Sequence, residues 1–284
     1  MCGYRNERHN PGGDQESFVR AQLAWIQSNV PLEGVSIIKW FTSGSFFDDS
    51  EVPPSVRKEI AQWCRGRRVI AETRPEYVLP ERILPFLEGV DDGSCKKPLY
   101  VAMGLETTND LVRNRSIKKG FSYNDYTRAA DTAHAAGAGV KAYLLMKPPY
   151  LTERDAITDM VETIRELGDS PEIISMNPCT VQQGCELEWL WKRKEYRPPY
   201  LWSVLSVLLS ADRYVACDPV GGGSIRGPHN CGRCDREIVQ ALRDYYREGD
   251  RASLEQAAAI PCPCRDEWKF VVEREHPLWM PLTR

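Results

Sequence analysis

No stretch of about 18 or more residues is continuously apolar, so nothing in the sequence reads as a membrane-spanning helix. The first residues also lack the basic, apolar and small-residue order of a secretory signal, and the expectation is a soluble, cytoplasmic protein. Positive charge is not in excess either. The 37 lysines and arginines face 40 aspartates and glutamates, a formal net charge of -3. Coating nucleic acid by bulk charge is thereby excluded, and contact with a polyanion must come from a local groove. A Walker-type phosphate loop and a Gly-x-Ser-x-Gly elbow are both missing, which removes the sequence markers of nucleotide hydrolysis and of the common serine hydrolases. Neither a repeat of solenoid period nor a low-complexity segment interrupts the chain.

What is present is an alternation of helical and short apolar segments. The 284 residues, 42% of them hydrophobic, suffice for one large α/β domain. Asp14 predicts the cap of a helix that runs to about Ser28, and a strand follows over Val35 to Phe41. Behind Pro53 and Pro54 a helix reaches Arg65, a strand spans Arg68 to Glu72, and a short helix broken by Pro80 and Pro85 precedes the strand Leu99 to Leu105. Ser122 caps the next helix, which closes at Gly137 and Gly139 before the strand Val140 to Met146. Thr152 opens another helix, Gly168 stops it, and Glu172 to Met176 is the fifth strand. Helical stretches around Leu187 to Lys194 and Trp202 to Ser210 lead to a sixth short strand, Arg213 to Cys217. The expected architecture is a partial TIM-type barrel of (β/α)6 kind over residues 1–217, followed by a cysteine-rich, metal-binding extension over 218–284.

Barrels of this kind place their chemistry at the C-terminal ends of the strands. There the first strand runs into Thr42-Ser43-Gly44-Ser45-Phe46-Phe47-Asp48-Asp49, the second delivers Glu72-Thr73-Arg74-Pro75, and the third ends in Glu106. The fourth ends in Lys147-Pro148-Pro149 and the fifth in Asn177-Pro178-Cys179. Glu72 and Glu106 can accept hydrogen bonds from ribose hydroxyls, the backbone of Ser43 to Phe46 can meet an ammonium or carboxylate group, and Arg115 or Lys147 can neutralise a carboxylate. A glutamate pair serving as acid and base in a hydrolase fits the same residues. Strand-end polar residues also cap helices or solvate loops, and it is their recurrence that favours a site.

Ten cysteines are too many to be incidental where disulfides are disfavoured, and such a count points to metal. Cys231-Gly232-Arg233-Cys234 and Cys262-Pro263-Cys264 together offer four thiolates, the tetrahedral set that Zn(II) prefers, with Pro261 and Pro263 stiffening the second loop. His229 as a substitute ligand, unliganded buried thiols and an iron-sulfur cluster are the alternatives. Basic and aromatic residues accumulate nearby. Trp189, Trp191, Lys192, Arg193, Lys194, Tyr196, Arg197, Tyr200 and Trp202 form one cluster, and Arg226, Arg233, Arg236, Arg243, Arg247 and Arg251 another. Such residues can track phosphates and stack on bases. Tryptophan and tyrosine at helical spacing more often pack on a barrel, however, and the arginines of 236–251 interleave with Asp235, Glu237, Asp244 and Glu248, so these residues alone do not favour RNA binding.

Met1-Cys2-Gly3-Tyr4, Thr42-Ser43-Gly44-Ser45-Phe46-Phe47-Asp48, Glu72-Thr73-Arg74-Pro75-Glu76, Gly104-Leu105-Glu106-Thr107, Ser116-Ile117-Lys118-Lys119-Gly120-Phe121, Lys147-Pro148-Pro149, Met176-Asn177-Pro178-Cys179 and Gly227-Pro228-His229-Asn230-Cys231-Gly232-Arg233-Cys234-Asp235 recur in order along nearly the whole chain. In this the sequence resembles the radical S-adenosylmethionine enzymes of archaeosine biosynthesis, the RaSEA family, within the Elongator-type group.

The resemblance implies a radical SAM barrel whose [4Fe-4S] cluster is held by three cysteines, Cys2 among them, and whose open iron chelates S-adenosylmethionine. One electron then cleaves the sulfonium to a 5′-deoxyadenosyl radical, while the protein positions the cofactor and excludes water. Carried over by motif, Ser43, Gly44, Ser45 and Phe46 meet the methionine moiety, Glu72 and Glu106 contact ribose or amino groups, Arg74 stands in the same motif, and Asn177 lies toward the adenine. The implied reaction is a lyase step on tRNA: C-N cleavage of a lysine-adducted 7-deazaguanine in the D-loop, leaving archaeosine. The implied partners are tRNA, the lysine-transferring archaeosine synthase subunit and an electron donor, with no membrane. In the family Cys2 corresponds to the last of three clustered cysteines, so the other two and the first barrel strand are expected upstream of Met1, and the chain as written is expected to be truncated and inactive. Two other readings stay open: a cluster-less, zinc-containing tRNA-binding or scaffold subunit, and another radical SAM enzyme such as a tRNA thiolase.

Overall fold

The computed structural model describes residues 14–42 and 44–283. Five strands, β1 (Ile37–Trp40), β2 (Arg68–Glu72), β3 (Leu99–Glu106), β4 (Gly139–Met146) and β5 (Ile173–Pro178), form one parallel half-barrel sheet in sequence order. Parallel neighbours need a crossover, and helices supply it. α1 (Gln15–Asn29) precedes β1, and α2 (Pro54–Trp63), α3 (Pro80–Val90), α4 (Tyr123–Ala135) and α5 (Glu153–Leu167) lie between successive strands. α6 (Glu186–Lys192), α7 (Leu201–Ser210), α8 (Asp235–Glu248), α9 (Arg251–Ala258) and α10 (Cys264–Arg274) follow. None of the helices among the described residues is long and apolar enough to cross a membrane.

The strand periodicity of two sorts the side chains. Val69 and Ala71, Leu99, Val101, Met103 and Leu105, Val140, Ala142, Leu144 and Met146, and Ile174 and Met176 enter one core with the helices. Ile238, Leu242, Tyr245, Leu254 and Val271 of the last three helices belong to the same core. The intervening residues, Lys39, Glu72, Gly104, Lys141, Tyr143 and Asn177, therefore occupy the inner wall of the half-barrel. Capping is as the sequence predicts: the Asp14 carboxylate accepts from the Glu16 and Ser17 amides, Ser122 and Asp125 form a reciprocal capping box, and Thr152 accepts from Asp155.

Two expectations are corrected. Pro80 and Pro85 do not break a helix, because Pro80 sits at the first position of α3, where no intrahelical bond is lost, and Ile83, Phe86 and Val90 hold the turns around Pro85 in the core. The sixth strand is reduced to one bridge, Ser175 with Ala216. The Glu172 carbonyl that would continue the pairing accepts from the Arg213 guanidinium at 2.9 Å instead, and on the opposite edge the Val215 N–H donates to the Tyr245 hydroxyl at 3.2 Å. Sequence periodicity also missed a π-helix over Val112–Ile117, which the fully buried Arg113 anchors by donating to the carbonyls of Thr107 and Phe121.

Candidate active site and metal centre

The strand ends converge as the sequence expects. After β1 the loop is fixed by Phe46 and Phe47, both fully buried, whose rings pack edge-on against Phe86 at 4.9 and 5.8 Å. The Phe46 N–H donates to the Glu72 carbonyl at 2.9 Å, and the Ser45 hydroxyl accepts from the Arg74 N–H at 3.1 Å, so the first two strand exits are laced together. Glu51 accepts from the Ser45 N–H at 2.6 Å, and its carboxylate stands where a Cβ on Gly44 would be. Phe46 thus faces the core and offers the mouth only its backbone. Ser43 and Cys2 lie outside the described residues.

Glu72 and Glu106 do come close enough to feel one another. Burial first, with help from Glu106, raises the Glu72 pKa, while Lys119 and Lys141 oppose the shift. Among the described residues no hydrogen bond reaches the Glu72 carboxylate. Glu106 has one: the Lys119 ammonium lies 2.7 Å away. A bulge at the end of β3, where Leu105 and Glu106 together oppose Leu144, turns Glu106 toward that lysine with φ 70°. Gly104 completes the arrangement, because a Cβ there would lie 2.7 Å from the Lys119 nitrogen and 2.9 Å from the Glu106 carboxylate. Lys119 stands in the Lys118-Lys119-Gly120 turn, and only the fold shows its role.

Lys141, also missed, is the one cation inside the apolar run of β4, and that isolation was its sequence signal. It is 7% exposed, its ammonium lies 4.4 Å from the Tyr143 ring centre, and burial, with Lys39 adding to it, lowers its pKa to about 8. The other sequence candidates divide. Arg74 spans the mouth by donating to Glu76 at 2.5 Å and to the Lys119 carbonyl at 3.0 Å. Asn177 lies near the end of β5 on the inner wall, paired with Leu145. Arg115 is exposed on the π-helix. Lys147 turns to the other side and ion-pairs with the fully buried Glu153 at 2.5 Å, whose second oxygen accepts from the Tyr200 N–H and the Ser203 hydroxyl.

The four cysteines of the extension meet. Cys231, Cys234, Cys262 and Cys264 place their sulfurs all within 4.8 Å of one another. Close pairs stand 3.4 to 3.6 Å apart, against roughly 3.8 Å for a tetrahedron of zinc-thiolate bonds. Two donors already aim at the sulfurs, the Trp202 indole N–H at Cys264 (3.3 Å) and the Asn230 amide at Cys234 (3.4 Å). Burial opposes ionisation of Cys231, but hydrogen bonds led by the Arg233 backbone outweigh it and bring the thiol to about 6. His229 is not part of this group; its Nδ1 lies 2.7 Å from the Gly227 carbonyl. Of the aromatic cluster, Tyr196, Tyr200 and Trp202 are buried in the packing, as helical spacing suggested, while Trp189 is exposed.

No family model matches the chain. It is 38% identical over 284 residues to archaeosine synthase subunit beta of Methanosarcina acetivorans, covering 97% of this chain and 80% of that one. Identity to archaeosine synthase subunit beta of Thermococcus kodakarensis is 37% over 293 residues, covering 100% and 88%. Among solved structures the archaeal Methanocaldococcus infernus Elp3 with residues 1–46 deleted superposes with a TM-score of 0.54 at 17% identity, over 84% of this chain and 64% of Elp3, a likeness of fold.

Proposed function

Because the chain belongs to the archaeosine synthase subunit beta family, we propose that it is the RaSEA-type radical S-adenosylmethionine lyase of tRNA modification, which forms archaeosine by cleaving a C-N bond of a lysine-adducted 7-deazaguanine in the tRNA D-loop. The observation that carries this reading is the 38% identity to the Methanosarcina acetivorans protein across 97% of the chain. The mouth of the half-barrel supports it. Among the described residues no donor reaches the partly buried Glu72 carboxylate, and the ribose hydroxyls or ammonium group of S-adenosylmethionine would supply donors there. When bound, S-adenosylmethionine and a [4Fe-4S] cluster supply one-electron chemistry able to break an unactivated C-H bond.

The chain's own residues bind and orient. In this reading the backbone of 43–46 and Arg74 meet the methionine end, Glu72 and Glu106 take ribose or amino contacts, and Asn177 reaches toward the adenine. Lys119 holds Glu106 in position, and the rings of Phe41 and Tyr143, with centres 6.5 Å apart, give the inner wall an apolar stretch. Cys2 would be one cluster ligand. The four-cysteine group fits structural zinc, which would tie the start of α8 to the start of α10. The partners are tRNA and the lysine-transferring subunit of the synthase, with an electron donor.

Anaerobic reconstitution of the intact gene product, with the three cluster cysteines that the family resemblance implies, followed by reductant, S-adenosylmethionine and adducted tRNA, tests the reading by mass spectrometry of the nucleosides. Conversion of the adduct to archaeosine is expected, with about four irons and about one zinc per chain. A thiolated nucleoside would make the protein a thiolase instead. Zinc and RNA binding without iron uptake would make it a cluster-less scaffold.

A further inference from the structure

Five described non-glycine residues have positive φ: Glu106, Lys118, Lys147, Tyr150 and Lys194. Such backbones are costly away from glycine and collect at functional sites. Glu106, Lys118, Lys147 and Tyr150 lie at or just beyond the ends of β3, the π-helix and β4, and Lys194 follows α6. Side chains then join three of these segments. The Lys118 ammonium and the Tyr150 hydroxyl both meet the Glu186 carboxylate, at 3.4 and 3.2 Å. Glu186, Trp189 and Arg193 follow at helical spacings of three and four, so they share one face of α6 and its exit.

This strip is open. Trp189 is 57% and Tyr150 51% exposed, and the side chains of Lys118, Lys192 and Arg193 are 66, 62 and 52% exposed. The Arg193 guanidinium lies 4.3 Å from the centre of the Trp189 ring, and the indole still keeps more than half of its surface open. Lys118 pairs with Glu186, Lys192 and Arg226 with Glu188, and Arg193 with Glu195, and Lys194 adjoins them, so five cations meet three carboxylates in a chain of net charge -3. Resting on the tRNA reading above, we infer that this strip is a platform for an unpaired RNA loop, with one base stacked on Trp189, another against Tyr150, and the flanking phosphates on Lys118, Lys192 and Arg193. Lys118 adjoins Lys119, whose ammonium holds Glu106, so the strip borders the rim that carries Glu106. A protein partner fits less well, because the exposed rings are each neighboured by a charged or polar group and form no continuous apolar patch.

Filter binding of an unmodified tRNA transcript to the full protein, across a salt series, tests this. Trp189→Ala is expected to weaken binding about tenfold. The double variant Lys118→Glu with Arg193→Glu should lower the salt slope by about two. Arg243→Glu with Arg247→Glu on α8 should change neither, and unaltered thermal unfolding shows that the strip variants fold. Strip variants that hold tRNA as tightly and with the same slope as the unaltered protein overturn the platform and leave the archaeosine reading standing. Strip variants that keep tRNA but no longer co-purify with the other synthase subunit overturn it in favour of a protein interface. Failure of the unaltered protein to retain tRNA brings down the platform and the proposed function together.

Discussion

Lys141 illustrates what the inner wall asks of a single side chain. Burial, with Lys39 adding to it, lowers its pKa from 10.5 to about 8, so the folded chain holds this proton less tightly than the unfolded one. Carrying the charge at neutral pH therefore costs roughly 3 kcal/mol. The penalty is full below the folded pKa of about 8, shrinks as pH rises from there to 10.5, and then vanishes. Lys141→Met should stabilise the protein by up to about 3 kcal/mol near neutral pH, and urea denaturation across a pH series should show the gain fading above about pH 8. Gly104 gives a second expectation. A Cβ there meets only the flexible ends of Lys119 and Glu106, so Gly104→Ala should fold normally. By displacing that pair it should weaken S-adenosylmethionine about tenfold in calorimetry, the worth of one good hydrogen bond. The sequence disclosed Glu72 and Glu106 as strand-end carboxylates. It could not disclose Lys119, whose approach depends on a bulge and on the missing side chain of Gly104.

At the scale of elements, local signals were sufficient wherever a backbone group is satisfied by its neighbours. β2 has the expected limits, and the caps at Asp14, Ser122 and Thr152 start their helices where the side chains dictate. Long-range partners decided the rest. The strand expected at 213–217 contributes one bridge, through the N–H and carbonyl of Ala216, because the Glu172 carbonyl that would continue the ladder accepts from the Arg213 side chain instead. The π-helix likewise depends on Arg113, whose bonds to Thr107 and Phe121 no periodicity encodes. The four cysteines were legible as two short spacings, and the fold adds that Trp202 of α7 and Asn230 supply the donors around them. Removal of the metal proposed for this site should therefore loosen the starts of α8 and α10 first. Hydrogen exchange after chelation, or in Cys264→Ser, is expected to rise there while β2 to β4 stay protected, with about one metal ion lost per chain. Equal protection with and without metal would show that packing alone holds these helices.

The whole molecule joins a half-barrel with a mouth of paired carboxylates to cysteine-bearing helices that share its core. Nearly all of that plan could be read from the order of strands, strand-end residues and cysteine pairs. The substrate could not, because no side chain of the mouth spells out a nucleoside, and it is the family that points to tRNA. The most direct measurement is therefore made on tRNA itself. Deleting the gene for this chain from its source organism and digesting bulk tRNA to nucleosides for mass spectrometry should show archaeosine replaced by the lysine-adducted 7-deazaguanine. Archaeosine at its usual level in the deletion strain, or an earlier precursor accumulating without the adduct, would contradict the assignment of C-N cleavage to this protein.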